Sequence, residues 1–142
     1  SPWNMKNSIK KIEHFGNKNI LLTERGSFMG YNMLVNDMRS LPIMTETGYP
    51  VCYDATHSIQ MPTSMGSVSG GQREFIPYLV RAATGGGLHA IFMEVHDNPD
   101  KAKSDPNTVL NLKYLKNILH QASIIYSTRL KIYKIFGKDN VK

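Results

Sequence analysis

The chain has 142 residues and a formal net charge of +6, and its length is that of one domain. Its 41% hydrophobic and 20% charged residues are typical of a globular protein and exclude wholesale disorder. No apolar run approaches the roughly 18 residues that cross a bilayer, and the N-terminus lacks the apolar core of a signal peptide. The single cysteine, Cys52, excludes an internal disulfide. We therefore expect a cytoplasmic protein that does not contact a membrane.

Segments with helical and strand-like patterns alternate along the chain. The spacing of apolar residues predicts four helices, over 4–15, 34–44, 72–83 and, in one or two pieces, 112–135. Pro42 interrupts the second, and the glycines of 84-TGGG-87 stop the third. Compact apolar runs predict three buried strands, at 19-NILLTER-25, 50-PVCYDATH-57 and 88-LHAIFMEVH-96. This alternation predicts an α/β fold, with parallel strands joined by right-handed crossovers and covered by helices.

One connection is longer than an ordinary α/β loop. It is 57-HSIQMPTSMGSVSGGQRE-74, which is rich in Ser, Gly and Met. Its part 66-GSVSGGQR-73 precedes a predicted helix and could hold a phosphate on backbone N–H groups, although it lacks the GK[ST] of a Walker loop. Its composition fits a substrate-covering loop and a plain linker equally well.

The end of the chain carries much of the positive charge. The basic residues there are Arg129, Lys131, Lys134, Lys138 and Lys142. Such a patch could contact nucleic acid or another acidic surface. We favour a solvated helix face, because no aromatic-rich nucleic-acid motif accompanies the charges.

Polar groups follow each of the predicted strands. The first strand ends in Glu24 and Arg25, the second in 54-DATH-57 and the third in 94-EVHD-97. The carboxyl ends of parallel strands lie on one face of an α/β fold, and active sites form there. We therefore expect Arg25, His57 and Glu94 to lie close together.

Taken singly, these residues have ordinary explanations. His57 could be a hydrogen-bonded surface or core histidine, Arg25 a salt-bridge partner of Glu24, Glu94 part of a polar loop, and Asp105 a turn residue in 103-KSDPN-107. Taken together, His57, Glu94 and Asp105 form a workable ligand set for a divalent transition metal. Arg25 has the fork geometry that grips phosphate or carboxylate. The combination suggests a phosphorylated or carboxylated substrate.

Several motifs resemble those of the 3-deoxy-D-manno-octulosonate 8-phosphate synthase family. They are 22-LTERGSFMGYNMLVNDMRSLPIM-44, 51-VCYDATHSIQ-60, 69-SGGQREF-75 and 92-FMEVHDNPDKAKSD-105, in the order and spacing of the family. The resemblance extends from about residue 1 to about residue 119. It implies a (β/α)8 TIM barrel, of which this chain covers only the last three strands and their helices, so that 1–142 is the C-terminal part of a single domain.

The resemblance also implies a reaction and residue roles. The reaction is the condensation of phosphoenolpyruvate with D-arabinose 5-phosphate and water, which gives 3-deoxy-D-manno-octulosonate 8-phosphate and phosphate for lipopolysaccharide biosynthesis. By position, Arg25 would bind the phosphate of phosphoenolpyruvate, and the catalytic residues would be His57, Glu94 and Asp105. Glu94 and His57 would lie beside phosphoenolpyruvate and the reactive water, and Asp105 could assist proton transfer.

Further expectations follow from the same resemblance. The residues assigned to substrate binding in the loop after His57 are Gln60, Ser67 and Ser69. In metal-dependent members His57, Glu94 and Asp105 would bind a divalent ion such as Fe, Zn or Mn; in metal-independent members there is no cofactor. The residue that distinguishes the two classes is a first-strand cysteine or asparagine that this sequence lacks. The partners would be small phosphorylated substrates, and the assembly a homo-oligomer, tetrameric in the family, with no nucleic acid and no membrane.

Two departures from the family pattern keep alternatives open. The chain is about half as long as family members, and three parallel strands cannot close a barrel. In addition, 104-SDPN-107 lacks a glycine that usually follows the aspartate. We expect a fragment of a longer enzyme, and the alternative is an inactive remnant that serves only in association or anion binding. A second alternative is the sister 3-deoxy-heptulosonate 7-phosphate synthase, against which 54-DATHS-58 argues.

Overall fold

The structure is a computed structural model that describes residues 1–28, 33–65 and 68–137, with the backbone alone described at 63–65 and 68–69. Its parts form a mixed α/β fold. The α-helices within the described ranges are α1 (Met5–His14), α2 (Ser40–Thr45), α3 (Ile76–Gly86) and α4 (Leu112–Phe136). The strands are β1 (Leu22–Glu24), β2 (Ser27–Phe28), β3 (Leu34–Val35), β4 (Val51–Asp54), β5 (Gln60–Met65), β6 (Val68–Gly71), β7 (Ala90–Phe92), β8 (Val95–His96) and β9 (Leu110–Asn111).

The centre of the fold is a parallel sheet with the strand order β1-β4-β7. Its register pairs Leu22 with Val51 on one side of β4 and Cys52 with Ala90 on the other. All four residues of β4 are buried, which explains why this segment is apolar on both faces until Asp54. The predicted parallel strands are confirmed, and within the described ranges they form three strands of an open sheet rather than a closed barrel.

The third predicted strand is shorter than expected. Only Ala90–Phe92 pairs with β4; the chain then leaves the sheet, and Val95–His96 forms a separate parallel pair with Leu110–Asn111. The first strand is also shorter, since Leu22–Glu24 pairs with β4 while the apolar residues before it do not. The break after β7 matters for function, because it lies directly before Glu94.

The long connection after β4 contains paired strands within its described residues. It begins with a single 3-10 turn, His57–Ile59, and continues as the antiparallel strands β5 and β6. Gln60 is paired with Gly71 at the base of this hairpin. Residues whose composition fits a linker therefore pair with each other.

Two of the predicted helices need correction, and the last one is confirmed. Leu34 and Val35 form a strand, and α2 begins only at Ser40; Pro42 lies in its first turn, where the N–H that proline lacks would have no intrahelical partner. α3 does not stop before the glycines but runs through Gly86, and it ends at Gly87, whose φ of 107° is the left-handed conformation that glycine favours. α4 is one continuous helix of 25 residues.

The hydrophobic core lies between the sheet and the helices. Its fully buried members include Leu41 of α2, Val51 and Tyr53 of β4, and Ile76 and Val80 of α3. Ile118 and Ala122 of α4 join the same cluster. This packing fixes the helices against one face of the sheet and so positions the strand ends. None of the helices within the described ranges is long and apolar enough to cross a membrane.

Candidate active site

Three of the predicted site residues converge at the carboxyl end of the sheet. His57 follows β4, Glu94 lies between β7 and β8, and Asp105 lies in the loop before β9. One ligand atom from each lies within 4.8 Å of the others, and His57 Nε2 is 3.6 Å from Glu94 Oε1. His57 and Glu94 therefore lie close together as predicted, and Asp105, the third member of the predicted ligand set, joins them.

Asp54 orients the imidazole of His57. Its Oδ2 is 2.7 Å from His57 Nδ1, while its Oδ1 accepts from the backbone N–H of Thr56 at 3.2 Å and of His57 at 3.0 Å. A carboxylate only accepts hydrogen bonds, so it keeps the proton of a neutral imidazole on Nδ1. Nε2 is then unprotonated and faces the Glu94 carboxylate, which also only accepts, so that a donor or a cation can lie between the two. Sequence reasoning assigned no role to Asp54, although a carboxylate three residues before a histidine was a signal that could have found it.

The ring of Phe92 contacts the same imidazole. The two ring centroids are 6.0 Å apart with their planes 20° from parallel, and 45% of Phe92 is exposed. Phe92 is the last residue of β7 and is paired with Asp54 in the sheet. The imidazole is therefore held by a carboxylate at one edge and an apolar ring against its face.

Thr56 ties the ends of β4 and β7 together. Its side chain is fully buried, and its Oγ1 accepts from the backbone N–H of Glu94 at 3.2 Å while it donates to Asp54 Oδ1 at 3.3 Å. The backbone N–H of Ala55 also donates to the carbonyl of Phe92 at 3.0 Å. These bonds fix Glu94 relative to His57 even though the chain leaves the sheet after β7.

The backbone of Asp105 is in the left-handed region, with a φ of 48°. Aspartate adopts this conformation more readily than most residues, because its short side chain can hydrogen-bond locally. Its carbonyl accepts from the N–H groups of Thr108 and Val109 at 2.9 and 3.1 Å, and Arg73 donates to the carbonyl of Pro106. The turn that carries Asp105 is thus closed by its own backbone and anchored by the side chain of Arg73, which lies in a 3-10 turn just before α3.

Arg25 and Gln60 extend the cluster on its exposed side. Arg25 Nη2 donates to Gln60 Oε1 at 3.0 Å, and Gln60 Nε2 donates to Asp105 Oδ1 at 3.0 Å. Glu24 accepts from the backbone N–H of Gly26 at 2.6 Å, and no ion pair of Arg25 is present in the described part of the chain. The interpretation of Arg25 as a salt-bridge partner of Glu24 is therefore wrong.

The other predicted substrate-binding residues cannot be compared with the geometry. Ser67 lies outside the described residues, and the side chain of Ser69 does too. Nearby, the thiol of Cys52 is buried in the middle of β4, and this burial, with a smaller contribution from Asp54, raises its pKa. Cys52 is thus a neutral core residue rather than a member of the site.

The geometry defines a class of protein: an α/β protein whose parallel strands bring an imidazole, two carboxylates and a guanidinium to one polar site. The family model described as "DAHP synthetase I family" matches residues 1–128. Because that match covers most of the chain, the chain belongs to this family.

Curated relatives carry one name. The chain is 52% identical over 126 residues to the "2-dehydro-3-deoxyphosphooctonate aldolase" of Protochlamydia amoebophila, a match that covers 89% of this chain and 46% of that protein. It is 57% identical over 121 residues to the protein of that name from Cyanothece sp., with coverages of 85% and 44%. For the Geobacter sulfurreducens protein, identity is 58% over 110 residues, with coverages of 77% and 40%. The chain spans about half the length of the curated relatives it matches.

Proposed function

We propose that this chain supplies the last three strands of a (β/α)8 barrel that condenses phosphoenolpyruvate with D-arabinose 5-phosphate. The products are 3-deoxy-D-manno-octulosonate 8-phosphate and inorganic phosphate, for lipopolysaccharide biosynthesis. The identity of 52–58% to proteins named 2-dehydro-3-deoxyphosphooctonate aldolase supports this reaction. A cytoplasmic, tetrameric assembly belongs to the same proposal, and light scattering on the purified protein tests the tetramer.

One observation carries the proposal. His57, Glu94 and Asp105 meet within 4.8 Å, and Gln60 connects this cluster to Arg25. A forked cation beside a proton-accepting cluster is what a reaction of a phosphorylated enol with an aldehyde requires, because charge develops at both reacting carbons.

The proposed chemistry forms a carbon–carbon bond and a carbon–oxygen bond, and it breaks the carbon–oxygen bond between C2 and the phosphate. C3 of phosphoenolpyruvate attacks the aldehyde carbon of the sugar, and the aldehyde oxygen takes up a proton. Water adds to C2 and loses one proton; the new C2 hydroxyl loses the second proton as phosphate leaves C2, which gives the keto acid. The atoms of both substrates and of one water are accounted for in the two products.

Each side chain then has a task that its position supports. Arg25 holds the phosphate of phosphoenolpyruvate through its planar donors. Glu94 and Asp105 orient the water and take its proton, since a carboxylate within hydrogen-bonding reach is a competent general base. His57, held by Asp54, presents Nε2 to the same point. The hairpin of β5 and β6 covers the sugar phosphate, and the substrate-binding role expected for Ser67 and Ser69 stays a prediction.

The cluster also fits a divalent metal ion. One imidazole and two carboxylates are a donor set for Fe, Zn or Mn, and a carboxylate on the far nitrogen, here Asp54, is the usual support of a metal-binding histidine. His57, Glu94 and Asp105 would hold the ion. When bound, such an ion would supply electrophilic stabilisation of oxygen charge and lower the pKa of water.

The experiment measures phosphate release by the purified protein in the form in which the cell makes it. We expect release from phosphoenolpyruvate with D-arabinose 5-phosphate and much less with D-erythrose 4-phosphate, the aldose of the sister reaction. Arg25→Met should raise KM for phosphoenolpyruvate roughly 10- to 100-fold, the equivalent of lost hydrogen bonds to a charged group. Arg81→Met, which removes an arginine bound to Gln121 of α4, serves as the matched control.

The outcomes separate the alternatives. A preference for erythrose 4-phosphate would assign the sister activity. Binding of phosphoenolpyruvate without any release of phosphate would favour the inactive remnant. Equal effects of Arg25→Met and Arg81→Met would refute the role given to Arg25.

A further inference from the structure

Gln60 is the only described side chain shown to bond to both Arg25 and Asp105. It accepts from Arg25 Nη2 through Oε1 at 3.0 Å and donates to Asp105 Oδ1 through Nε2 at 3.0 Å. The three residues come from separate parts of the chain, since Arg25 follows β1, Gln60 begins β5, and Asp105 precedes β9. One amide therefore joins the anion-binding side of the site to its proton-accepting side.

The chemistry of the amide permits only one orientation. A guanidinium has donors and no acceptor, and an ionised carboxylate has acceptors and no donor. The carbonyl end of Gln60 must therefore face Arg25 and the NH₂ end must face Asp105. A rotation of the amide by 180° would place two donors against each other at one end and two acceptors at the other. Gln60 thus fixes the direction of Arg25 relative to Asp105.

The backbone of Gln60 is held from several sides. It follows the 3-10 turn that contains His57, and it pairs with Gly71 across the base of the hairpin. Gly71 packs so closely on the Asp105 loop that a Cβ there would lie 2.5 Å from Thr108 Cγ2. The hairpin base is therefore in contact with the loop on which Asp105 lies. The backbone thus sets the distance that the side chain of Gln60 spans between Arg25 and Asp105.

We propose that Gln60 is a positioning residue that couples Arg25 to Asp105. It holds the arginine that binds phosphate at a fixed position relative to the carboxylate that accepts a proton. The inference rests on the proposed function and deepens it. In this role Gln60 holds Arg25 for the phosphate, while the direct substrate contact expected from the resemblance stays a prediction. Its single bond to Asp105 leaves the other carboxylate oxygen available to water or an ion, because a carboxylate can accept about four hydrogen bonds.

The test is a binding cycle with phosphoenolpyruvate, measured by isothermal titration calorimetry on the purified protein as the cell makes it. Gln60→Met keeps the length of the side chain and removes both polar ends. We expect it to weaken phosphoenolpyruvate affinity about 10-fold in the wild-type background, the equivalent of one hydrogen bond to a charged group. In an Arg25→Met background the same change should weaken the affinity less than about 2-fold, because the side chain it positions is gone.

Catalysis supplies the second half of the test. Gln60→Met should lower kcat as well as raise KM, and its effect on kcat should vanish in an Asp105→Asn background. Gln121→Met is the matched control, because Gln121 also accepts from an arginine and donates to a side-chain oxygen, on helices remote from the site. It should change neither affinity nor kcat.

The results distinguish the inference from the proposed function. An equal loss of affinity with and without Arg25, or no loss at all, would overturn the positioning role, since direct contact or no contact would then explain the data. A wild-type protein that binds phosphoenolpyruvate but forms no product would refute the proposed reaction and still allow the binding cycle to decide the coupling. A wild-type protein that does not bind phosphoenolpyruvate would refute both.

Discussion

Replacing Asp54 with asparagine should disable His57 with little change in volume. Asp54 is 6% exposed, and its Oδ2 lies 2.7 Å from His57 Nδ1. Oδ1 also receives three donors from Thr56 and His57, so the amide oxygen of asparagine must stay there and its NH₂ must face Nδ1. Nδ1 would then accept, and the proton of the neutral imidazole would move to Nε2, beside Glu94.

The expected magnitude follows from that exchange. A supporting partner of this kind is worth about 10- to 100-fold in activity or metal affinity. Substitution at a buried hydrogen-bonded group also costs on the order of 1–3 kcal/mol of folding free energy. We therefore expect kcat for phosphate release to fall by about 10-fold or more. KM for phosphoenolpyruvate should change little, because Arg25 is unchanged. Steady-state kinetics and urea unfolding on the same sample measure both quantities.

Two results would contradict the reasoning for Asp54. One is a kcat within 2-fold of wild type, which would mean that the tautomer of His57 does not matter. The other is an equal loss in Asp37→Asn, the matched control, whose carboxylate binds only the exposed Arg39 of its own turn. Nuclear magnetic resonance of the His57 ring nitrogens identifies the tautomer directly and separates it from a general loss of structure.

Two other changes test the packing around the site. Gly71→Ala should reduce the free energy of unfolding by about 1–3 kcal/mol, because its Cβ would meet Thr108 and the Asn107 carbonyl. Gly85→Ala is the control and should not destabilise the protein, because no atom lies nearer than 4.0 Å to its Cβ. Similar urea midpoints for the two variants would contradict this prediction. Cys52 should react with a thiol reagent at pH 8 only after unfolding, because its thiol is buried and this burial raises its pKa. The neutral thiol of Cys52 contributes stability that is complete below the pKa of the unfolded state and is lost as pH rises through the pKa of the folded state. Rapid labelling of the folded protein at pH 8 would contradict the prediction.

Much of the site followed from the positions of polar residues after apolar runs. The apolar run that ends at Asp54 predicted a buried strand, and the carboxyl ends of parallel strands lie on one face of a sheet. The sequence alone therefore predicted that His57 and Glu94 lie close together. Asp105 was harder, because nothing local distinguishes it from a turn residue. It was included because it completes a ligand set with His57 and Glu94, and the resemblance of the surrounding motifs supported it.

The rest depended on contacts that no local pattern encodes. Strand β3 pairs with Ser27–Phe28, and β5 pairs with β6; this pairing overrides the weak local strand preference of these segments. The bonds of Gln60 join residues 35 and 45 positions away in sequence. Only the three-dimensional arrangement of the chain shows such links.

The register of the parallel sheet limits how this region can change during evolution. Asp54 pairs with Phe92, and Thr56 accepts from the N–H of Glu94. The distance between His57 and Glu94 therefore depends on how many residues separate each of them from the Asp54–Phe92 pair. Loss or gain of one residue between the pair and the site would break the bonds of Thr56 to Asp54 and to the N–H of Glu94, and so would displace a side chain of the candidate site. Insertions should therefore be tolerated in the turn at Gly48, before the amino end of β4. They should be eliminated by selection in the few residues after β4 and β7.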